Sequence, residues 1–326
     1  MKPIISRNEL LAIVATVLLV NGIIQLWMIW AQDAVYVRAP YGNIKALASL
    51  PAEGLLIAGY GEGQLSLFKT RNGELIRNLV AHESPLICLS AIQATSDVVT
   101  AAQDGSVCVW TMPAGKLRLR WVAHKHGLTD ARVTADGLGV VTANGTRKVR
   151  LWKLSDGTLK TEFDLPKEVM FAGLDASRHV LAVAANDRRI ELWKLTQGKP
   201  QTSVSLNGKQ VGKFVFGSTT CTIAVVNSSG TITIFDAQTG KQRQRLAGQN
   251  YTVHAMELFA DDHRLISGAS DGTVCVWDID SGAQLRRFES RRLHVGSVAF
   301  IDDGKVASGG MDNTIILWDC NLPMLP

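Results

Sequence analysis

Paired cysteines are missing from this chain. The five it has, Cys88, Cys108, Cys221, Cys275 and Cys320, are an odd number, and no C-x-x-C pair occurs. That excludes a disulfide framework, a zinc ribbon and a c-type haem attachment site, and leaves isolated cysteines to serve as small core residues. Charge is scarce as well. Asp, Glu, Lys and Arg make up 19% of the 326 residues and hydrophobic residues 46%, a balance that buries a core and excludes a disordered chain. The 34 Lys and Arg exceed the 29 Asp and Glu by only 5, a small bias toward anionic partners. Outside residues 10–30 no segment sustains a helical period, so the fold must be built from strands.

Residues 10–30, LLAIVATVLLVNGIIQLWMIW, carry no charge. A helix of that length at about 1.5 Å per residue reaches about 31 Å, enough to cross a bilayer. Trp27 and Trp30 stand at one end and Lys2 and Arg7 beyond the other, as interfacial anchors do. The pattern predicts a tail over 1–9, a transmembrane helix over 10–30 and a short linker over 31–33. A cleavable signal peptide is the rival reading, but its apolar region is about 7–15 residues and the small-residue cleavage site, Ile29-Trp30-Ala31, is poor. Asn21 and Gln25 share one helix face beside Gly22. They are either a contact for another membrane helix or a tolerated neutral polar pair. The slight positive excess before the helix places the rest of this single-pass chain on the extracytoplasmic side, whereas unpaired cysteines suit a reducing compartment.

Beyond the helix the sequence repeats. Phe68, Trp110, Trp152, Trp193, Phe235, Trp277 and Trp318 close seven similar segments, with successive spacings of 42, 42, 41, 42, 42 and 41. Each unit reads as four short strands between turn residues, and a period of about 40–45 residues indicates propeller blades. The Trp-Asp pair stands at Trp277-Asp278 and Trp318-Asp319. An Asp six residues before the aromatic occurs as Asp104, Asp187, Asp271 and Asp312, and a hydroxyl ten before it as Thr100, Thr142, Ser267 and Ser308. A His 28 before it occurs as His82 and His124.

In these residues the chain resembles the WD-repeat family over about residues 33–320. The resemblance implies an all-β, seven-bladed propeller of four-stranded antiparallel blades. It also implies a hydrogen-bonded tetrad that holds a blade together, complete here only in the second unit: His82, Thr100, Asp104 and Trp110. The first, fourth and fifth units have Ala58, Val183 and Val225 in place of the hydroxyl, and the fifth has Ser229 in place of the Asp, so packing must hold those blades. After Trp318 only a tail with two prolines remains, which cannot supply a fourth strand. Residues 34–39, AVYVRA, alternate like that missing strand. They are expected to complete the seventh blade of a ring spanning 34–320, leaving 321–326 as a tail.

Catalytic signatures dissolve on inspection. Gly268–Gly272 spells G-x-S-x-G but lies between strands rather than at a strand-to-helix turn. Gly59, Gly61 and Gly63 precede no helix that could cradle a phosphate. His82-Glu83 lacks a second His four residues on, and His124, which could share a metal with His126, has a place in the scaffold. Neither a metal, a cofactor nor a catalytic group is expected, and the chain is not expected to be an enzyme. The outer strands are rich in arginine, including Arg286 and Arg287 with Arg291 and Arg292 just beyond. These either guard strand edges or form a candidate contact with an anionic surface such as lipid. Nucleic acid is not expected, because no stacking aromatics accompany them. The sequence thus points to a membrane-anchored, non-catalytic scaffold binding protein partners, as a subunit of a membrane complex. The alternatives are a propeller enzyme or ligand sensor using the central channel, and a transient envelope assembly factor.

Overall fold

The computed structural model describes residues 34–320, apart from 135, 176–179, 185–188, 195–198, 206–210, 218–219, 250, 260, 291–293 and 303. The predicted membrane helix, with Asn21, Gly22 and Gln25, lies outside the described residues. Among the described residues no helix is long and apolar enough to cross a membrane.

Residues 34–320 form seven four-stranded antiparallel sheets, numbered here as blades 1 to 7 from the N-terminus. Blade 1 comprises Ile44–Leu50, Leu55–Tyr60, Gln64–Lys69 and Leu75–Val80, and blades 2 to 6 repeat that hairpin order. Blade 7 is composite. Its three inner strands, Val295–Asp302, Lys305–Gly310 and Thr314–Asp319, come from the C-terminal end, and its outer strand, Ala34–Arg38, from the N-terminal side. Ala34 pairs with Trp318 and Arg38 with Thr314, closing the ring.

The second and third strands read as nearly unbroken apolar runs because both of their faces are covered. In blade 6, Val274 and Val276 join the core shared with blade 7, while the alternate Cys275 and Trp277 join the core shared with blade 5. Seven such cores fill the seven interfaces between blades. Outer strands such as Leu75–Val80 and Lys116–Val122 are largely exposed, which explains their charged sequences.

Two local devices fix the geometry. In blades 1 to 6 the register between third and fourth strands shifts at the repeat aromatic, for example between Val109 and Trp110. In blade 7 the corresponding pairing runs without a shift, since its outer strand arrives from the other end of the chain and no hairpin constrains it. The turn between second and third strands lies against the loop that leads into the next blade. A Cβ on Gly105, whose φ is +91°, would sit 1.9 Å from the His124 carbonyl oxygen, so only glycine fits there.

Candidate functional site

Each blade brings its aromatic beneath the second strand, where a buried indole N–H needs an acceptor. In blade 2 the acceptor starts a chain of bonds. Trp110 Nε1 donates to Thr100 Oγ1 at 2.9 Å, and Thr100 Oγ1 lies 2.8 Å from His82 Nε2. His82 Nδ1 lies 2.8 Å from Ser106 Oγ, which in turn donates to Asp104 Oδ1 at 2.7 Å. The indole only donates and the carboxylate only accepts, so one proton order satisfies every member. His82 is therefore neutral with its proton on Nδ1. Burial pushes its imidazole down to about 4, against the pull of Asp104 and with a push from Arg120. Thr100, His82 and Trp110 thus meet directly, whereas Asp104 reaches the histidine through Ser106.

Blade 6 builds the same chain without a histidine. Trp277 Nε1 donates to Ser267 Oγ at 2.8 Å, Ser267 Oγ to Gln249 Oε1 at 2.6 Å, and Gln249 Nε2 to Thr273 Oγ1 at 3.1 Å. Thr273 Oγ1 then donates to Asp271 Oδ1 at 2.6 Å. The amide accepts on one side and donates on the other, as the imidazole does. Blade 2 is therefore not alone in having a complete network. Gln249 lies 28 residues before Trp277, and Ser106 and Thr273 lie four before their aromatics. Those offsets were the available signal, and a search for histidine alone passes over them.

The other blades show graded versions. In blade 3 Trp152 donates to Thr142 at 2.9 Å and His124 Nε2 lies 3.0 Å from the same oxygen. Burial, with a contribution from Arg150, pushes His124 down to about 4. In blade 7 Trp318 donates to Ser308 at 2.9 Å. The short Ser290 stands there in place of histidine, and a cavity of about 10 Å³ is lined by Ser290, Ser308, Asp312 and Thr314. Blades 1 and 5, where Ala58 and Val225 replace the hydroxyl, carry Phe68 and Phe235, which have no N–H to satisfy. Blade 4 keeps Trp193 opposite Val183, and its N–H turns to Glu191 Oε2 at 3.1 Å.

The arginine sector is engaged in the ring. Arg286 Nε donates to Cys320 O at 2.7 Å and its Nη1 to Leu285 O at 2.8 Å. Arg287 pairs with Glu289 at 3.3 Å and donates to Gly248 O at 3.2 Å. Arg291 and Arg292 lie outside the described residues. Arg77 bonds Ala114 O in the next blade, and Arg118 bonds Leu154 O at 3.0 Å in the blade after that.

Gly268 and Ala269 end the second strand of blade 6 and Ser270–Gly272 forms the turn to the third, with Asp271 held by Thr273. Among the described residues no group of three or more His, Cys, Asp or Glu is placed to hold a metal. The five cysteines are free. Burial raises the thiols of Cys88 and Cys108 to about 11 and those of Cys275 and Cys320 to about 12, which keeps them unreactive.

The first strands line a central cavity of about 570 Å³ whose wall includes Lys45, Asp130, Arg132, Lys213 and Glu257. The repeat spacing gives no hint of this cluster, because its members come from different blades.

On the face where the first strands begin, Met170, Tyr251 and Met311 are exposed. Met170 and Tyr251 precede first strands, and Met311 caps the turn between the second and third strands of blade 7. Antiparallel pairing brings these positions to the same face.

The sequence is similar to known proteins. The chain is 24% identical to Protein ROOT INITIATION DEFECTIVE 3 of Arabidopsis thaliana over 82% of this chain and 55% of that protein. It is 26% identical to the pre-rRNA-processing protein crb3/ipi3 of Schizosaccharomyces pombe over 73% and 56%. It is 28% identical to human WD repeat-containing protein 81 over 44% and 8%. The chain spans about half the length of the first two. A Vps8 β-propeller model matches residues 203–322. The model of the WD domain, G-beta repeat, matches residues 73–111, the stretch that contains His82, Thr100, Asp104 and Trp110. Two propeller families, the WD repeat and the Vps8 type, thus match parts of the ring.

Proposed function

We propose that this chain is a non-catalytic protein-interaction scaffold, anchored in a membrane by residues 10–30 with its ring on the extracytoplasmic side, and that it serves as a subunit of a membrane complex. The observation that carries the scaffold reading is the exposure of Met170, Tyr251 and Met311 on one face of the ring, at 37%, 58% and 59%. Tyrosine and methionine are among the side chains enriched in protein contacts. In blade 6 the polar chain holds Gln249, two residues before Tyr251, against the sheet, so a partner meets a preformed surface there. Similarity to WD-repeat proteins supports the same reading, and the uncharged run from Leu10 to Trp30 supports the anchor.

The test is purification of the full chain in mild detergent beside a M170S/Y251S/M311S variant. A partner recovered in fixed ratio with the wild type and lost from the variant is the expected result. Retention of every partner by the variant would move the contact elsewhere. Alkaline carbonate extraction and protease added to intact cells test the anchor and the side. Release by carbonate would remove the anchor, and protection of the ring until lysis would reverse the side.

A further inference from the structure

The channel mouth on the face of Tyr251 carries Lys213 of blade 5 and Lys45 of blade 1. His254 of blade 6 lies beside Lys213, and burial with the charges of His294 and Lys213 lowers its imidazole. Lys213 Nζ donates to the His254 carbonyl oxygen at 2.8 Å, and the His254 and His294 rings lie 4.5 Å apart. Arg132 of blade 3 reaches to blade 5, where its Nη1 donates to the Phe214 carbonyl oxygen at 2.8 Å. Burial lowers the Lys213 ammonium and the charge of Arg132 lowers it further, the Asp130 carboxylate raises it, and Lys45 lowers it again, so the three cations share one field with a single carboxylate.

Little in the wall answers that charge. Asp130 is already bound to Arg132 at 3.0 Å and accepts the Ala172 N–H at 3.1 Å. Asp262 lies at the opposite end of the channel, between the first and second strands of blade 6, where it accepts the Thr220 N–H at 2.8 Å. Burial pushes the Glu257 carboxyl up to about 8, so at neutral pH it is largely an uncharged acid that can donate. Lys45, which lines the cavity, forms no ion pair among the described residues. The cavity of about 570 Å³ has the size of a small-molecule site. Phe171 and Val215 line it and are only partly covered.

We propose that this mouth binds a small organic anion, a carboxylate or phosphate monoester, with its charge between Lys45 and Lys213 and its apolar part against Phe171 and Val215. The anion relieves the repulsion among the cations, and the apolar wall excludes purely inorganic ions from full affinity. The site opens on the same face as the surface proposed to hold proteins.

The experiment is isothermal titration of the full-length chain in a neutral detergent with phenyl phosphate, phenylacetate, inorganic phosphate and benzyl alcohol. One or both aromatic anions are expected to bind at one site per chain with Kd below about 1 mM. The tighter of the two names the anionic group. Inorganic phosphate is expected to bind at least about tenfold more weakly and benzyl alcohol not at all. K45M/K213M should lose at least about tenfold in affinity and K45R/K213R should keep it. The proposal is overturned if neither aromatic anion binds, if benzyl alcohol binds as tightly, if K45M/K213M retains wild-type affinity, or if the arginine variant loses it.

Discussion

Trp277 donates its indole N–H to Ser267, ten residues upstream, at 2.8 Å, and this one bond anchors a chain that ends on Asp271. Ser267→Ala leaves both the indole N–H and the Gln249 carbonyl without their partner inside the core. The expected cost is about 1–3 kcal/mol. Trp277→Phe in the same background removes the orphaned donor, so S267A/W277F should cost less than the sum of its parts. Urea unfolding of the single and double variants checks this, and strict additivity would show that the two groups act independently. Blades 1 and 5 already carry the matched pairs Ala58 with Phe68 and Val225 with Phe235.

How far the sequence could be read follows from what each feature depends on. The ring was legible because each blade must present an aromatic at the same depth, which forces a spacing of 41 or 42 residues. The network of blade 6 was legible only to a reader asking which side chains accept on one side and donate on the other; Gln249 meets that requirement and Ser290 does not. The arginines were ambiguous, because an exposed edge and a carbonyl in the next blade call for the same residue. The channel cluster was not legible. Lys45 and Lys213 are 168 positions apart, and nothing but ring closure brings their charges into one cavity.

The neutral histidines predict a pH dependence with a definite sign. His82 falls to about 4 in the fold, against about 6.5 in an unfolded chain. Its contribution is therefore complete above pH 6.5 and is lost as pH falls from there toward 4, by up to about 3 kcal/mol. Glu257, raised to about 8, acts oppositely, and its contribution is lost as pH rises from about 4.5 to 8. Comparison with a variant separates the two. His82→Gln copies the blade 6 chain with no titrating group, so its stability relative to wild type should improve steadily between pH 7 and pH 4.5. A constant difference across that range in urea unfolding would rule out His82 as the source.

Ring closure rests on the five pairs between Ala34–Arg38 and Thr314–Trp318. Val37 and Ala39 also enter the core between blades 7 and 1. A chain beginning at Tyr41 leaves the strand of Trp318 with an open edge, which invites association. Relative to a chain beginning at Asp33, its Tm should fall by about 10 °C or more and it should scatter light on heating. Equal melting and equal scattering would show that the closing strand is dispensable.

Arg286 offers the sharpest choice between two roles of an outer-strand arginine. Its Nε bonds the Cys320 carbonyl of blade 7 at 2.7 Å while its own strand belongs to blade 6. Arg118 does the same from blade 2 to Leu154 of blade 3, so the contact is a recurring clamp between blades. A charged donor on a carbonyl of this kind contributes about 1.5–3 kcal/mol. Arg286→Gln is therefore expected to lower stability by an amount in that range, whereas Arg287→Gln, whose ion pair with Glu289 and longer 3.2 Å bond to the Gly248 carbonyl are both exposed, should cost less than about 1 kcal/mol. Sedimentation with anionic liposomes should be unchanged by either substitution if the clamp is the role. A large loss of liposome binding in Arg286→Gln at unchanged stability would instead assign this arginine to a membrane surface.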